Sequence, residues 1–161
     1  MTKQATSTDT QFMEQAIHLA SDNVRNGGGP FGAVIVKDGV VIATGQNRVT
    51  RDIDPSAHAE VTAIRNACTI LGDFSLAGAT LYTSCEPCPM CLATSLWARL
   101  DRVVFAADRD AAAEGGFDDR KFYETFAKDR SEWDVPVDSL AIDGSFAPFR
   151  LWLDTLDRTH Y

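Results

Sequence analysis

Two short segments, His58-Ala59-Glu60 and Pro87-Cys88-Pro89-Met90-Cys91, each stand at the head of an apolar helical repeat. Their side chains can act together only if the fold lays two helix starts side by side. A spacing of three puts Cys88 and Cys91 on one helix face. The partial positive charge at a helix N-terminus favours thiolate over thiol there. One imidazole and two thiolates form a soft three-ligand set that suits zinc and leaves its fourth position open, which marks a catalytic centre rather than a structural one. Glu60, a poor fourth ligand two residues past His58, is placed to move protons. A lone CxxC also reads as a redox pair. The conjunction with HxE, and Pro87 ahead of the first cysteine, favours the metal. Cys85 is the remaining ligand candidate nearby, and the helix start should leave it behind on a strand end. Cys68, inside a helical repeat, reads as core filler.

Patterning around these segments predicts alternating helices and strands. Residues 9–26 form a helix capped by Asp9 or Thr10, with Phe12, Ala16, Leu19, Ala20 and Val24 on its apolar face. Gly27-Gly28-Gly29-Pro30 ends it. Strands at 31–37 and 40–45 flank an Asp38-Gly39 hairpin turn. Residues 47–55 read as polar loop, 56–71 as a helix, 80–83 as a strand, 88–99 as a helix and 102–106 as an apolar strand. Further on, 108–116 holds a short helix, 118–128 is helical, 135–142 is a last strand and 147–156 a terminal helix. The alternation indicates an α/β layered protein of one domain spanning 1–161. Gly27, Gly29 and Gly32 match G-x-G-x-x-G, but helix precedes and strand follows, the reverse of a dinucleotide fingerprint. They read instead as a turn that lets backbone pass close to a bound molecule.

The net charge is −8 and the 15 Lys and Arg are scattered, so no basic stripe for phosphate backbones is present. A small, weakly charged substrate fits better, with no nucleic-acid and no membrane partner. Three of the four cysteines crowd into seven residues, a pattern of metal ligation rather than of a disulfide scaffold. The polar first ten residues lack the apolar core of a secretory signal, so a cytoplasmic location is expected.

The pattern H-x-E…P-C-x-x-C is the signature of the zinc nucleobase deaminases. Beyond it, the segments 29–39 (GPFGAVIVKDG), 45–47 (GQN), 57–64 (AHAEVTAI), 81–92 (LYTSCEPCPMCL) and 116–119 (GFDD), with a terminal Tyr161, resemble the bacterial guanine deaminases of the cytidine deaminase superfamily. The resemblance implies a three-layer α/β/α sandwich around a central mixed sheet. It implies hydrolysis of guanine to xanthine and ammonia, with a zinc-bound hydroxide as nucleophile and Glu60 as proton shuttle. It also implies a homodimer that exchanges C-terminal segments, about 130–161, so that Tyr161 of one chain closes the site of the other. Carried onto this chain, Asn47 contacts the ring edge, Phe31 and Trp97 are aromatic walls, Asp119 reads purine N–H groups, and Ala59 and Phe117 also line the pocket. Taken alone, Asn47 reads as a turn residue and Asp118-Asp119 as a helix cap. Guanosine or ammeline-like rings are alternative substrates on this scaffold. A tRNA adenosine deaminase shares both motifs but fits the acidic composition poorly.

Overall fold

The computed structural model describes residues 6–160, which divide into two compact units after Tyr123. The first unit begins with α1 (Ser7–Arg25) and a hairpin, β1 (Gly32–Lys37) and β2 (Val40–Gln46). A short α2 (Val49–Asp52) and α3 (Ala59–Leu71) lead to β3 (Ala79–Cys85). Then come α4 (Pro89–Trp97), β4 (Arg102–Ala107), α5 (Arg109–Glu114) and α6 (Arg120–Phe126), within which the boundary falls.

The sheet has the order β2-β1-β3-β4. The β1–β2 and β1–β3 pairs are antiparallel and β3–β4 is parallel, so the sheet is mixed. Alternation along β1 sorts the two faces. Val34 and Val36 join Ala16 of α1 and Tyr82 in one core, while Ala33 and Ile35 join Ala59, Ala63 and Ala67 of α3 in the other. The expected three layers are therefore present: α1 on one face, α3 and α4 on the other. Of these, α1 and α3 lie very close to the sheet. A Cβ on Gly32 would stand 2.4 Å from the Ala16 carbonyl, and one on Gly45 would stand 2.1 Å from the Ala59 carbonyl. The second approach fixes the start of α3, where the first motif sits.

Three local expectations are corrected. The N-cap of α1 is Thr6, in a capping box with Asp9, rather than Asp9 or Thr10. Asp9 sits at the third helical position and serves more than the cap: it accepts hydrogen bonds from Tyr82 Oη (2.6 Å) and Arg102 Nη1 (2.7 Å). The segment 47–55 holds the short helix α2, which ends on Ile53 in the left-handed region at φ 52°. Residues 135–142 form no strand. Pro136 lacks an N–H to donate, and the second unit, beyond Tyr123, contains no other described strand to pair with. That unit instead holds a 3-10 turn (Arg130–Glu132) and α7 (Ala147–Asp154). The Asp38-Gly39 turn is as read, with φ of 52° and 75°.

Candidate active site

Both motifs sit on helix starts, one position earlier than a first-turn placement. His58 is the N-cap of α3 and Cys88 the N-cap of α4, with Pro89 at the next position. Neither side chain makes a capping hydrogen bond, whereas Thr6 and Asp108 cap α1 and α5 conventionally. The two side chains are therefore left for another use. His58 Nδ1 lies 3.6 Å from Cys88 Sγ and 3.5 Å from Cys91 Sγ. Tetrahedral zinc with bonds of about 2.05 Å to nitrogen and 2.3 Å to sulfur holds the two atom types about 3.6 Å apart. His58, Cys88 and Cys91 thus fit the metal in kind, number and spacing. Cys85 is outside this group, and its Sγ donates to the Asp108 carbonyl.

The electrostatics agree with this arrangement. Hydrogen bonds donated by Cys91, and secondarily by His58, push the Cys88 thiol down to about 4 despite burial. Cys91 is pushed up by Cys88 and by burial. Glu60 is buried, and loss of solvent raises its carboxyl above the ordinary range, with the Cys88 charge adding to the rise.

The group opens into a cavity of about 530 Å³. Gly27, Gly28 and Gly29 form one rim, as their turn reading suggested, and Asn47, Val49 and Thr50 another. Phe31 and Phe117 meet edge to face within it, ring centroids 5.0 Å apart. Asp119 lines the same cavity, and its Oδ1 is buried without a hydrogen-bond partner. Burial, then the Cys88 charge, raises the Asp119 carboxyl. An orphaned carboxylate oxygen in a cavity calls for a donor, supplied by water or by a bound molecule. Two glutamates reach the cavity, and they differ. Glu86 is engaged by Arg109, which holds its carboxyl below the ordinary range, whereas burial raises that of Glu60.

A family model described as the cytidine and deoxycytidylate deaminase zinc-binding region matches residues 6–107. The chain belongs to this zinc-binding deaminase family. It is 49% identical to the guanine deaminase of Bacillus subtilis over 151 residues, 93% of this chain and 97% of that one. The X-ray structure of guanine deaminase from Bacillus subtilis matches with a TM-score of 0.92 at 48% identity, covering 94% of this chain and 98% of that chain. A tRNA-specific adenosine deaminase from Agrobacterium fabrum is 43% identical over 109 residues, 66% of this chain and 72% of that one.

Within the deaminase unit, the structure brings together His58, Glu60, Cys88, Phe31, Asn47, Phe117 and Asp119 around one cavity, with Cys91 completing the ligand group. Two other residues fall elsewhere. Trp97 is 63% exposed at the far end of α4, its ring under the Arg99 guanidinium, and does not line the cavity. Nine residues of helix carry it about 13 Å from Cys88. The Ala59 methyl lies in the α3-side core, not in the cavity. Tyr161 lies outside the described residues. Sequence reasoning missed Glu86, Phe122 and Asn23. Phe122 stands three past Asp119, in the first turn of α6, and that spacing was the available signal. Asn23 is fully buried and donates 2.8 Å hydrogen bonds to the carbonyls of Gly29 and Asn47, tying the glycine rim to the Asn47 rim. Its signal was a polar residue three past Ala20 on the packed side of α1.

Proposed function

We propose that this protein hydrolyses guanine to xanthine and ammonia. The observation that carries the reading is the unpartnered Oδ1 of Asp119 in the same cavity as His58, Cys88 and Cys91. Guanine presents N–H donors that a carboxylate accepts, and the Asn47 amide offers both donor and acceptor to the ring edge. Phe31 and Phe117 supply apolar walls for a flat base. Similarity to a guanine deaminase over nearly the whole chain, against two thirds for the tRNA deaminase, supports the same choice.

Zinc, when bound by the three ligands, acts as a Lewis acid that brings the pKa of water towards neutrality. Glu60 takes one proton from the attacking water and delivers it to a ring nitrogen, then takes the second from the newly added hydroxyl and delivers it to the departing amine. The new C–O bond replaces the C–N bond, and nitrogen leaves as ammonia. Its raised proton affinity suits a group that must both accept and donate. The Ala59 backbone, between the ligand His58 and the proton carrier Glu60, is the part of that residue left for contact with the base.

The reading extends to one deaminase domain over 1–161, completed as a homodimer by exchange of residues from about 130 onward. Leu151 and Leu153 of α7 are 71% and 56% exposed. The first unit carries an apolar groove of about 480 Å³ lined by residues that include Ile17, Ala20, Val24, Ala106 and Ala112. A partner's α7 fits that groove chemically, and Tyr161 beyond it then closes the site. Four free cysteines suit a reducing, cytoplasmic setting. Among the described residues no helix is long and apolar enough to cross a membrane.

Ammonia release from guanine, guanosine, ammeline and adenosine-containing tRNA, measured on zinc-verified protein, tests the assignment. Guanine should be turned over best; turnover of guanosine alone would reject it.

A further inference from the structure

The Glu86-Pro87 step joins the end of β3 to the Cys88 ligand, and it is held in an unusual way. The Glu86 carboxylate accepts from the Arg109 backbone N–H (3.0 Å) and Nε (3.1 Å), and from Nη2 as well. The Arg109 guanidinium carbon lies 3.8 Å from the centre of the Tyr123 ring. The Tyr123 hydroxyl then donates to the Pro87 carbonyl, closing a ring of four residues from three parts of the chain. Arg109 and Tyr123 do not line the cavity, yet they bracket the segment that carries Phe117, Asp119 and Phe122, which do.

We infer that Glu86, Arg109, Tyr123 and the Pro87 carbonyl form a latch that holds the base-reading segment 117–122 in fixed register with the metal-ligand turn. Tyr123 and Arg109 are positioning residues in this arrangement. A base bound by Asp119 must present its amino-bearing carbon to the metal centre, and a small misplacement there is costly. A hydrogen bond and a stacked guanidinium set that distance directly, because one attaches at the residue before Cys88 and the other at the residue after Phe122. The inference rests on the reading of Asp119 as the group that meets the base.

Tyr123→Phe removes the bond to Pro87 and keeps the ring beneath Arg109. In the zinc-loaded enzyme it should speed amide hydrogen exchange in residues 117–122 about tenfold and leave α3 and zinc content unchanged. The kcat/KM for guanine should fall about fivefold, mainly through KM. In an Asp119→Asn background the same change should cost less than about twofold, since the two residues act as one unit. Unchanged exchange would overturn the latch itself. Faster exchange with an undiminished loss in the Asp119→Asn background would overturn its action through Asp119. Normal guanine turnover by Asp119→Asn alone would take down the base-reading role, and the positioning inference with it.

Discussion

In the first unit Ile35, Leu76 and Leu81 are fully buried between sheet and helices; in the second, Leu140, Leu151 and Leu156 are 83%, 71% and 94% exposed. Both units have apolar sequences, so composition does not separate them. What separates them is a partner. The first unit has two helical layers to cover a sheet. The second has fewer than about 40 residues and no described strand, below the size at which a chain usually buries its own core. Apolar residues kept exposed in such a segment are the physical support for the proposed exchange between two copies. The described metal ligands and the cavity they open into belong to the first unit alone.

The sharpest way to break that division is Glu60→Gln. It should lower kcat for guanine by about a thousandfold or more while zinc content and thermal stability stay at the parent level. An active variant would remove Glu60 as the proton shuttle. The next effect should come from the other unit. Leu151→Asp, far in sequence from every metal ligand, should convert the proposed dimer to monomer in sedimentation and cut turnover by about a hundredfold. A dimer of normal activity would leave the exposed face of α7 without a role.

Asp119→Asn should reduce kcat/KM for guanine about thirtyfold at full zinc occupancy, the scale of one charge-assisted hydrogen bond. The smallest effect on turnover should be that of Asp9→Asn, a pure test of the first unit's framework. Arg102, followed by Tyr82, holds the Asp9 carboxyl well below the usual carboxylate range. A depressed carboxylate contributes stability that is present above its unfolded value, near pH 4, and is lost as the pH falls below it. Asp9→Asn should therefore cost about 2 kcal/mol in urea unfolding at pH 7 and flatten the acid limb of the stability profile, with kcat unchanged.

The same division explains what the sequence disclosed. The metal ligands were legible because helix N-termini, ligand type and spacing are local properties, and the structure moves His58 and Cys88 only from first turn to N-cap. The sheet was legible from alternation and the Asp38-Gly39 turn. The strand reading at 135–142 failed because alternation says which face is apolar, not whether a neighbour exists to pair with. Trp97, expected as an aromatic wall, does not line the cavity of its own chain, because nine residues of helix carry it about 13 Å from Cys88. Glu86, Arg109 and Tyr123 were invisible because each is ordinary alone, and only the fold brings positions 23 and 36 residues apart into one ring.

The central claim is that one copy supplies the metal site and the other supplies the tail that closes it. Coexpression of a Glu60→Gln chain with a chain lacking Tyr161 tests it most directly. Each variant alone should be nearly inactive. Their mixed dimers contain one site with Glu60 and a partner's intact tail, so the mixture should regain about a quarter of parental guanine turnover. A mixture no more active than the two variants separately would contradict the account.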